Sequence, residues 1–139
     1  RYATGDISGS GSEVEAHTIS ASTNAPGGYT VSVEGDSLQS TQDAYEINPI
    51  GGVNTSSSPG SEQFGIRAEL TAGSGTITAP YDGVGFAFGA DSGSPDEIAS
   101  GVGDGVNSTF SIRYLGNIGQ STHASDYQTS IRYTTTGTF

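Results

Sequence analysis

The thirteen residues from Tyr127 to Phe139 form a single alternating run, with no charge cluster or turn that would end a β-strand. At about 3.3 Å per residue this strand would be about 43 Å long, whereas most strands have about 5 to 6 residues. A strand longer than its own sheet exposes unpaired backbone groups, to which other chains add. We therefore predict a donor strand for assembly, made of Thr134, Thr135, Thr136, Gly137, Thr138 and Phe139. The alternative is a long edge strand with a frayed end.

The composition predicts one all-β domain. The 139 residues include 22 glycines and only 32% hydrophobic residues, which disfavours helices and favours short strands joined by turns. We expect an Ig-like or jelly-roll β-sandwich of about eight or nine strands, ending in the overlong C-terminal strand. A single domain would span residues 1–139, with residues 1–12 as an N-terminal extension and residues 134–139 as the donor tail.

Alternating apolar residues predict the core of this sandwich. The strand before Asn24 and the strand from Tyr29 are expected to form a hairpin, with Gly27 in the left-handed conformation of the turn. The segment from Asp91 to Gly105 is predicted to be a loop that contains at most one helical turn at residues 96–100. The predicted core residues are Val31, Val33, Phe64, Ile66, Leu70, Phe86, Phe88, Phe110, Ile112, Tyr114, Ile131 and Tyr133.

The net charge of −11 excludes nucleic acid as a partner, because a phosphate backbone requires a cationic surface. This charge also opposes self-assembly unless cations screen it. Cys, Met, Trp and Lys are all absent, so no disulfide is expected, and the chain is suited to an oxidising, protease-rich exterior. No initiator Met or apolar targeting segment opens the chain, and no apolar stretch is long enough to span a membrane, as expected of a secreted mature protein.

Three segments resemble uncharacterised bacterial cell-surface β-sandwich proteins of an Ig-like or pilin-like type. They are residues 18–31 (TISASTNAPGGYTV), residues 58–66 (SPGSEQFGI) and the closing pair at residues 110–118 and 126–133. The resemblance implies a cell-surface sandwich without catalytic residues. Such proteins usually begin with one more strand than this chain has. That difference resembles donor-strand filament subunits, in which each subunit completes the next.

A catalytic site is not expected from the sequence. The chain has only two histidines, His17 and His123, and it has no nucleophile elbow of the Gly-x-Ser-x-Gly type. We interpret His17 as a strand residue and His123 as a turn residue bonded to Asp126 or to the backbone. Acidic pairs such as Asp96 and Glu97 are too common in this composition to indicate a glycosidase.

No cofactor is required by the sequence, although its loops favour Ca²⁺ over zinc. Carboxylates and carbonyl oxygens are abundant, and the alternative is a solvated acidic surface. The predicted ligands are Asp91, Asp96, Glu97, Glu34, Asp36 and Asp104. Two Asn-x-Ser/Thr triplets also make Asn54 and Asn107 candidates for glycosylation.

These patterns predict a structural, non-enzymatic subunit of an extracellular or cell-surface filament, a pilus-like homopolymer of identical subunits joined by β-strand complementation. The segment Arg1 to Ser12 is the second candidate for the donor strand. The alternative function is a monomeric adhesion or binding module displayed by a larger surface layer.

Overall fold

The computed structural model describes residues 15–90, 93–103 and 105–139, and within them the chain is all-β, as the sequence predicts. Eleven strands are described, compared with the eight or nine expected. They are β1 (His17–Ala21), β2 (Tyr29–Glu34), β3 (Gln39–Ser40), β4 (Gly51–Thr55), β5 (Gln63–Ala72), β6 (Thr76–Ile77), β7 (Phe86–Phe88), β8 (Asp96–Gly101), β9 (Ser108–Asn117), β10 (Tyr127–Gln128) and β11 (Arg132–Gly137).

Two antiparallel sheets enclose the core. One has the order β1-β9-β5-β7-β4, the other has the order β11-β2-β8-β6, and β10 pairs with β3 in a separate small ladder. Ile66 and Phe110 from the first sheet join Val31 and Ile98 from the second in one buried cluster. Edge strands β1 and β11 lie on the same side of the sandwich, because the ring of His17 is 5.4 Å from the ring of Tyr133.

The alternating runs identify the core correctly. Eight of the twelve predicted residues are buried, and the other four, Leu70, Tyr114, Ile131 and Tyr133, are partly buried against the core. Among the buried residues outside the prediction, Tyr81 and Ile98 come from segments that have no clean alternation. Sequence alternation therefore finds the core residues of alternating strands and misses those that lie in loops or at irregular pairing.

Several local predictions are wrong. The segment from Asp91 to Gly105 contains strand β8, and no helical turn forms there, because Ile98 and Ala99 are buried where β8 pairs with β2. Edge strand β4 also forms in a stretch that is rich in glycine and polar residues, Gly51–Thr55. In both segments, pairing with a neighbouring strand overrides a Gly-rich, polar composition.

The predicted hairpin between β1 and β2 does not form. β1 pairs with β9 in one sheet, whereas β2 pairs with β8 and β11 in the other, so the intervening turn crosses between the sheets. The left-handed residue of this turn is Gly28, with φ of 81°, and not Gly27. A Cβ at Gly28 would collide with the carbonyl oxygen of Gly101, so packing as well as conformation requires glycine.

The predicted thirteen-residue strand is two strands. β10 pairs with β3, and β11 follows after the break at residues 129–131 and pairs with β2 from Arg132↔Glu34 to Gly137↔Tyr29. Thr138 extends the pairing, because its N–H donates to Gly28 and its carbonyl accepts from Gly27, both at 2.9 Å. The expectation that the tail has no partner in its own domain is therefore wrong.

Candidate assembly site

The tail, residues 134–139, is held by its backbone. All six side chains are exposed, and that of Phe139 is 97% exposed. The anchoring side chains precede the tail: Arg132 forms an ion pair with Glu34, and the Tyr133 hydroxyl lies 2.7 Å from the Tyr114 hydroxyl. The tail is thus a strand at the sheet edge, with β2 on one side and no strand of the described residues on the other.

A groove of about 460 Å³ opens on the same side of the sandwich, between β9 and the segment of residues 127–131. We name it the seam groove. Apolar residues dominate its lining, and none of the described lining residues is Asp, Glu, Lys or Arg. The lining consists of Ala16, His17, Leu38, Phe64, Tyr114, Leu115, Gly116, Tyr127, Gln128, Thr129 and Ile131.

The backbone of β9 is only half paired along this groove. β5 pairs with β9 over its whole length, as far as Gln63↔Asn117, whereas β1 reaches only His17↔Ile112. Within the described part of the chain, the stretch from Tyr114 to Asn117 therefore has a strand on one side only. A sheet edge beside an apolar groove is the kind of surface to which an extended chain adds.

Aromatic residues form the wall at the β1 end of the groove. The ring of His17 lies 5.7 Å from the ring of Tyr114, which in turn stacks at 6.3 Å on the buried ring of Phe64. Burial raises the pKa of both Tyr114 and Tyr133, so the two phenols stay neutral and hydrogen bonded at physiological pH. The tyrosines of this wall therefore carry no charge.

A polar network fixes the opposite wall, which is formed by β10. The Tyr127 hydroxyl donates to the carbonyl of His123 at 2.8 Å, and the His123 ring stacks on Tyr45 at 4.1 Å. Glu62 accepts hydrogen bonds from the hydroxyls of Tyr45 and Thr122. The bond to Glu62 raises the pKa of Tyr45 to about 12, and the bonds from Thr122 and Tyr45 lower the pKa of Glu62.

The histidines differ from their predicted roles in detail. His17 lies on strand β1, as expected, but its ring packs against Tyr114 and Tyr133. His123 lies in a turn, but its Nδ1 is 3.1 Å from Asp43 and not bonded to Asp126. No hydroxyl group of the described residues hydrogen bonds to the His123 ring, so the Asp43–His123 pair has no nucleophile beside it.

The four predicted calcium ligands that the structure describes, Asp96, Glu97, Glu34 and Asp36, do not converge. Asp96 accepts a hydrogen bond from buried Tyr81 at 2.8 Å, while Glu97, the next residue of β8, accepts one from Thr78 at 2.8 Å. Consecutive strand residues point to opposite faces, so these two carboxylates cannot bind one ion. Glu34 is paired with Arg132, and no group of three His, Asp or Glu side chains is gathered in the described part of the chain, which includes Asp36. Asp91 and Asp104 lie outside the described residues.

The two glycosylation candidates differ in access. The side-chain amide of Asn54 donates to the carbonyl of Pro80 at 2.8 Å and accepts from the N–H of Gly85 at 3.0 Å, so its nitrogen is engaged in the fold. This geometry argues against attachment of a glycan to Asn54. Asn107 is exposed in the loop before β9 and stays a prediction.

Comparisons with protein-family models, with curated proteins and with solved structures gave no significant match to this chain. The resemblance to cell-surface sandwich proteins therefore remains an expectation from the three quoted segments. In the described ranges, no helix has the length and apolar character needed to cross a membrane.

Sequence reasoning did not identify the seam groove. Its lining comes from five separate parts of the chain, and it depends on β1 ending before β9 does, which is a matter of register. One signal was available: β9 continues with Tyr114 and Leu115 beyond Ile112, the last residue that pairs with β1.

Proposed function

We propose that this protein is the structural subunit of an extracellular filament, and that neighbouring subunits are joined by β-strand complementation. The observation that carries the proposal is the seam groove. Among the described residues, an apolar groove without Asp, Glu, Lys or Arg runs beside a sheet edge that carries no further strand, and a strand supplied by a neighbour would complete the edge and fill the groove. Because donor and acceptor are different surfaces, the contact is heterologous, and it propagates into a fibre when the rotation between subunits does not close a ring.

The chemistry of the groove supports this assembly. A net charge of −11 makes subunits repel one another, so a stable contact is favoured where neither surface is charged. Among the described residues the seam groove meets this condition, since no Asp, Glu, Lys or Arg lines it. Cations in the medium would screen the remaining repulsion without a specific binding site.

Filling the groove from within tests the proposal. A Cβ at Gly116 would sit 3.5 Å from the side chain of Leu38, an ordinary contact, so Gly116→Leu places its side chain at the groove without a clash at Cβ. Gly52→Leu is the matched control: Gly52 also lies in a strand, and its Cβ would be 3.8 Å from the nearest atom, Gly89 Cα. Circular dichroism checks that both variants are folded.

We expect the unmodified chain and Gly52→Leu to form fibres, measured by light scattering and electron microscopy, and Gly116→Leu to stay monomeric. Fibres of unchanged width from Gly116→Leu would contradict the seam groove as the contact. A full-length chain that stays monomeric at high concentration, with Ca²⁺ present to screen charge, would overturn the filament and favour the monomeric adhesion module.

A further inference from the structure

We infer that the strand entering the seam groove is the segment Tyr2 to Ile7 of a neighbouring subunit. The inference rests on the proposed function. It assigns the donor strand to the N-terminal segment, the second candidate from the sequence, in place of the tail. The tail is engaged in its own sheet, where Thr134 to Gly137 pair with β2 and Thr138 bonds to Gly27 and Gly28. A donor must be a segment that is not already part of this pairing.

The N-terminal end of β1 lies at the seam groove. Ala16 and His17 line the groove, and fifteen residues lie before them in the sequence. Five of these, Ser8 to Ser12, are alternating serine and glycine, a composition that forms flexible linkers. Such a linker spans up to about 17 Å when extended, so it can carry Tyr2 to Ile7 away from its own subunit.

The groove is not suited to the residues immediately before β1 of the same chain. His17 and Ala21 point toward the core, as His17 packs on Tyr114 and Ala21 is buried. In a regular continuation of β1, every second residue would point the same way, which would place Glu15 and Glu13 in the uncharged groove. Burying two unpaired carboxylates is strongly unfavourable. Glu15 is in fact exposed.

The segment Tyr2 to Ile7 has the length and pattern that the groove requires. Its six residues would extend about 20 Å, enough to cover the half-paired stretch of β9. As an added strand, it would place Ala3, Gly5 and Ile7 on one face, which is uncharged and combines one large apolar side chain with small ones. Asp6 would then point to the opposite face, toward solvent.

Cysteine cross-linking in the full-length chain tests this assignment, because the chain contains no cysteine of its own. One population carries Gly116→Cys, and a second carries Ala3→Cys, Gly5→Cys or Ile7→Cys in turn. After mixing, assembly and mild oxidation, mass spectrometry identifies the joined peptides. We expect disulfides between residue 116 of one chain and at least one of the three positions of the other. Gly52→Cys in place of Gly116→Cys is the control, and we expect its yield to be at least about tenfold lower.

Each alternative result has a defined meaning. If Thr135→Cys or Thr138→Cys joins to Gly116→Cys and the three upstream positions do not, the tail is the donor: this inference is overturned and the filament proposal survives. If a single chain carrying both Ile7→Cys and Gly116→Cys cross-links only within itself, the segment fills its own groove and the inference is overturned. If no fibres form from any population, the proposed function fails together with it.

Discussion

Removal of the tail, residues 134–139, separates its role in the fold from a role in assembly. The deletion takes away about six backbone hydrogen bonds, since an antiparallel ladder has about one per residue pair and Thr138 adds two. At a net 0.5–1.5 kcal/mol each, they contribute about 3–9 kcal/mol. Ordering six backbone residues costs about 6–12 kcal/mol, and the exposed side chains add little burial. The two contributions nearly cancel.

We therefore expect the deletion to change the free energy of unfolding by less than about 3 kcal/mol, compared with about 5–15 kcal/mol for a typical domain. Urea denaturation followed by circular dichroism measures the change. A shorter deletion that removes only Phe139 is the control, and we expect no measurable effect from it because its side chain is 97% exposed. Fibres should still form from both variants. A truncated chain that is folded but monomeric would refute this reasoning, because the tail would then carry the contact.

Three further predictions concern the fold that presents the groove. Ile66→Ala should destabilise the domain by about 2–5 kcal/mol, because Ile66 is fully buried, whereas Val53→Ala should stay within about 0.5 kcal/mol, because Val53 is 72% exposed; equal costs in urea denaturation would contradict the described core. Gly28→Ala should lower the melting temperature more than Gly51→Ala, since both glycines have positive φ but only Gly28 is crowded by Gly101; indistinguishable melting curves would argue against this contact. Because the pKa of Glu62 is lowered in the folded state, its contribution to stability is present above the ordinary carboxyl pKa of 4.5 and is lost as the pH falls below it. Glu62→Gln should therefore lose less thermal stability in acid than the unmodified chain does. An unchanged dependence of the melting temperature on pH would show that this network does not contribute.

The sequence predicts the fold class and the long core strands well. Runs such as Phe64 to Leu70 and Phe110 to Tyr114 alternate cleanly because one face of each strand is buried, and burial is the property that alternation reports. Strand β8 does not alternate in this way, because a bulge in its pairing with β2 buries the consecutive residues Ile98 and Ala99.

Strand partners were less predictable than strands. The compact turn after β1 predicts a hairpin, but in the structure this turn connects two different sheets. The residues of the turn are compatible with both connections, so they do not distinguish a hairpin from a crossover. The tail is predicted to lack a partner because a strand of thirteen residues would be longer than its own sheet. Its partner is β2, about a hundred residues earlier in the chain, and this pairing depends on backbone bonds that leave no mark on side-chain pattern.

The candidate site was only indirectly predictable. The expectation that the sandwich lacks a strand near its beginning stays a prediction, since residues 1–14 lie outside the described residues. The acidic residues chosen as calcium ligands instead have partners that sequence spacing could not reveal, namely Tyr81 for Asp96 and Thr78 for Glu97. The carboxylates of this strand accept hydrogen bonds from the hydroxyl groups that the fold places beside them.

The most direct test of the proposed assembly is the identity of the segment that occupies the seam groove in a fibre. Cryo-electron microscopy of fibres, at a resolution that separates strands, would answer this in one measurement. We predict an extra strand beside Tyr114 to Asn117, continuous through a flexible link with β1 of the adjacent subunit and with Ile7 among Leu38, Phe64 and Leu115. An empty groove, with subunits joined through another surface, would contradict the central claim.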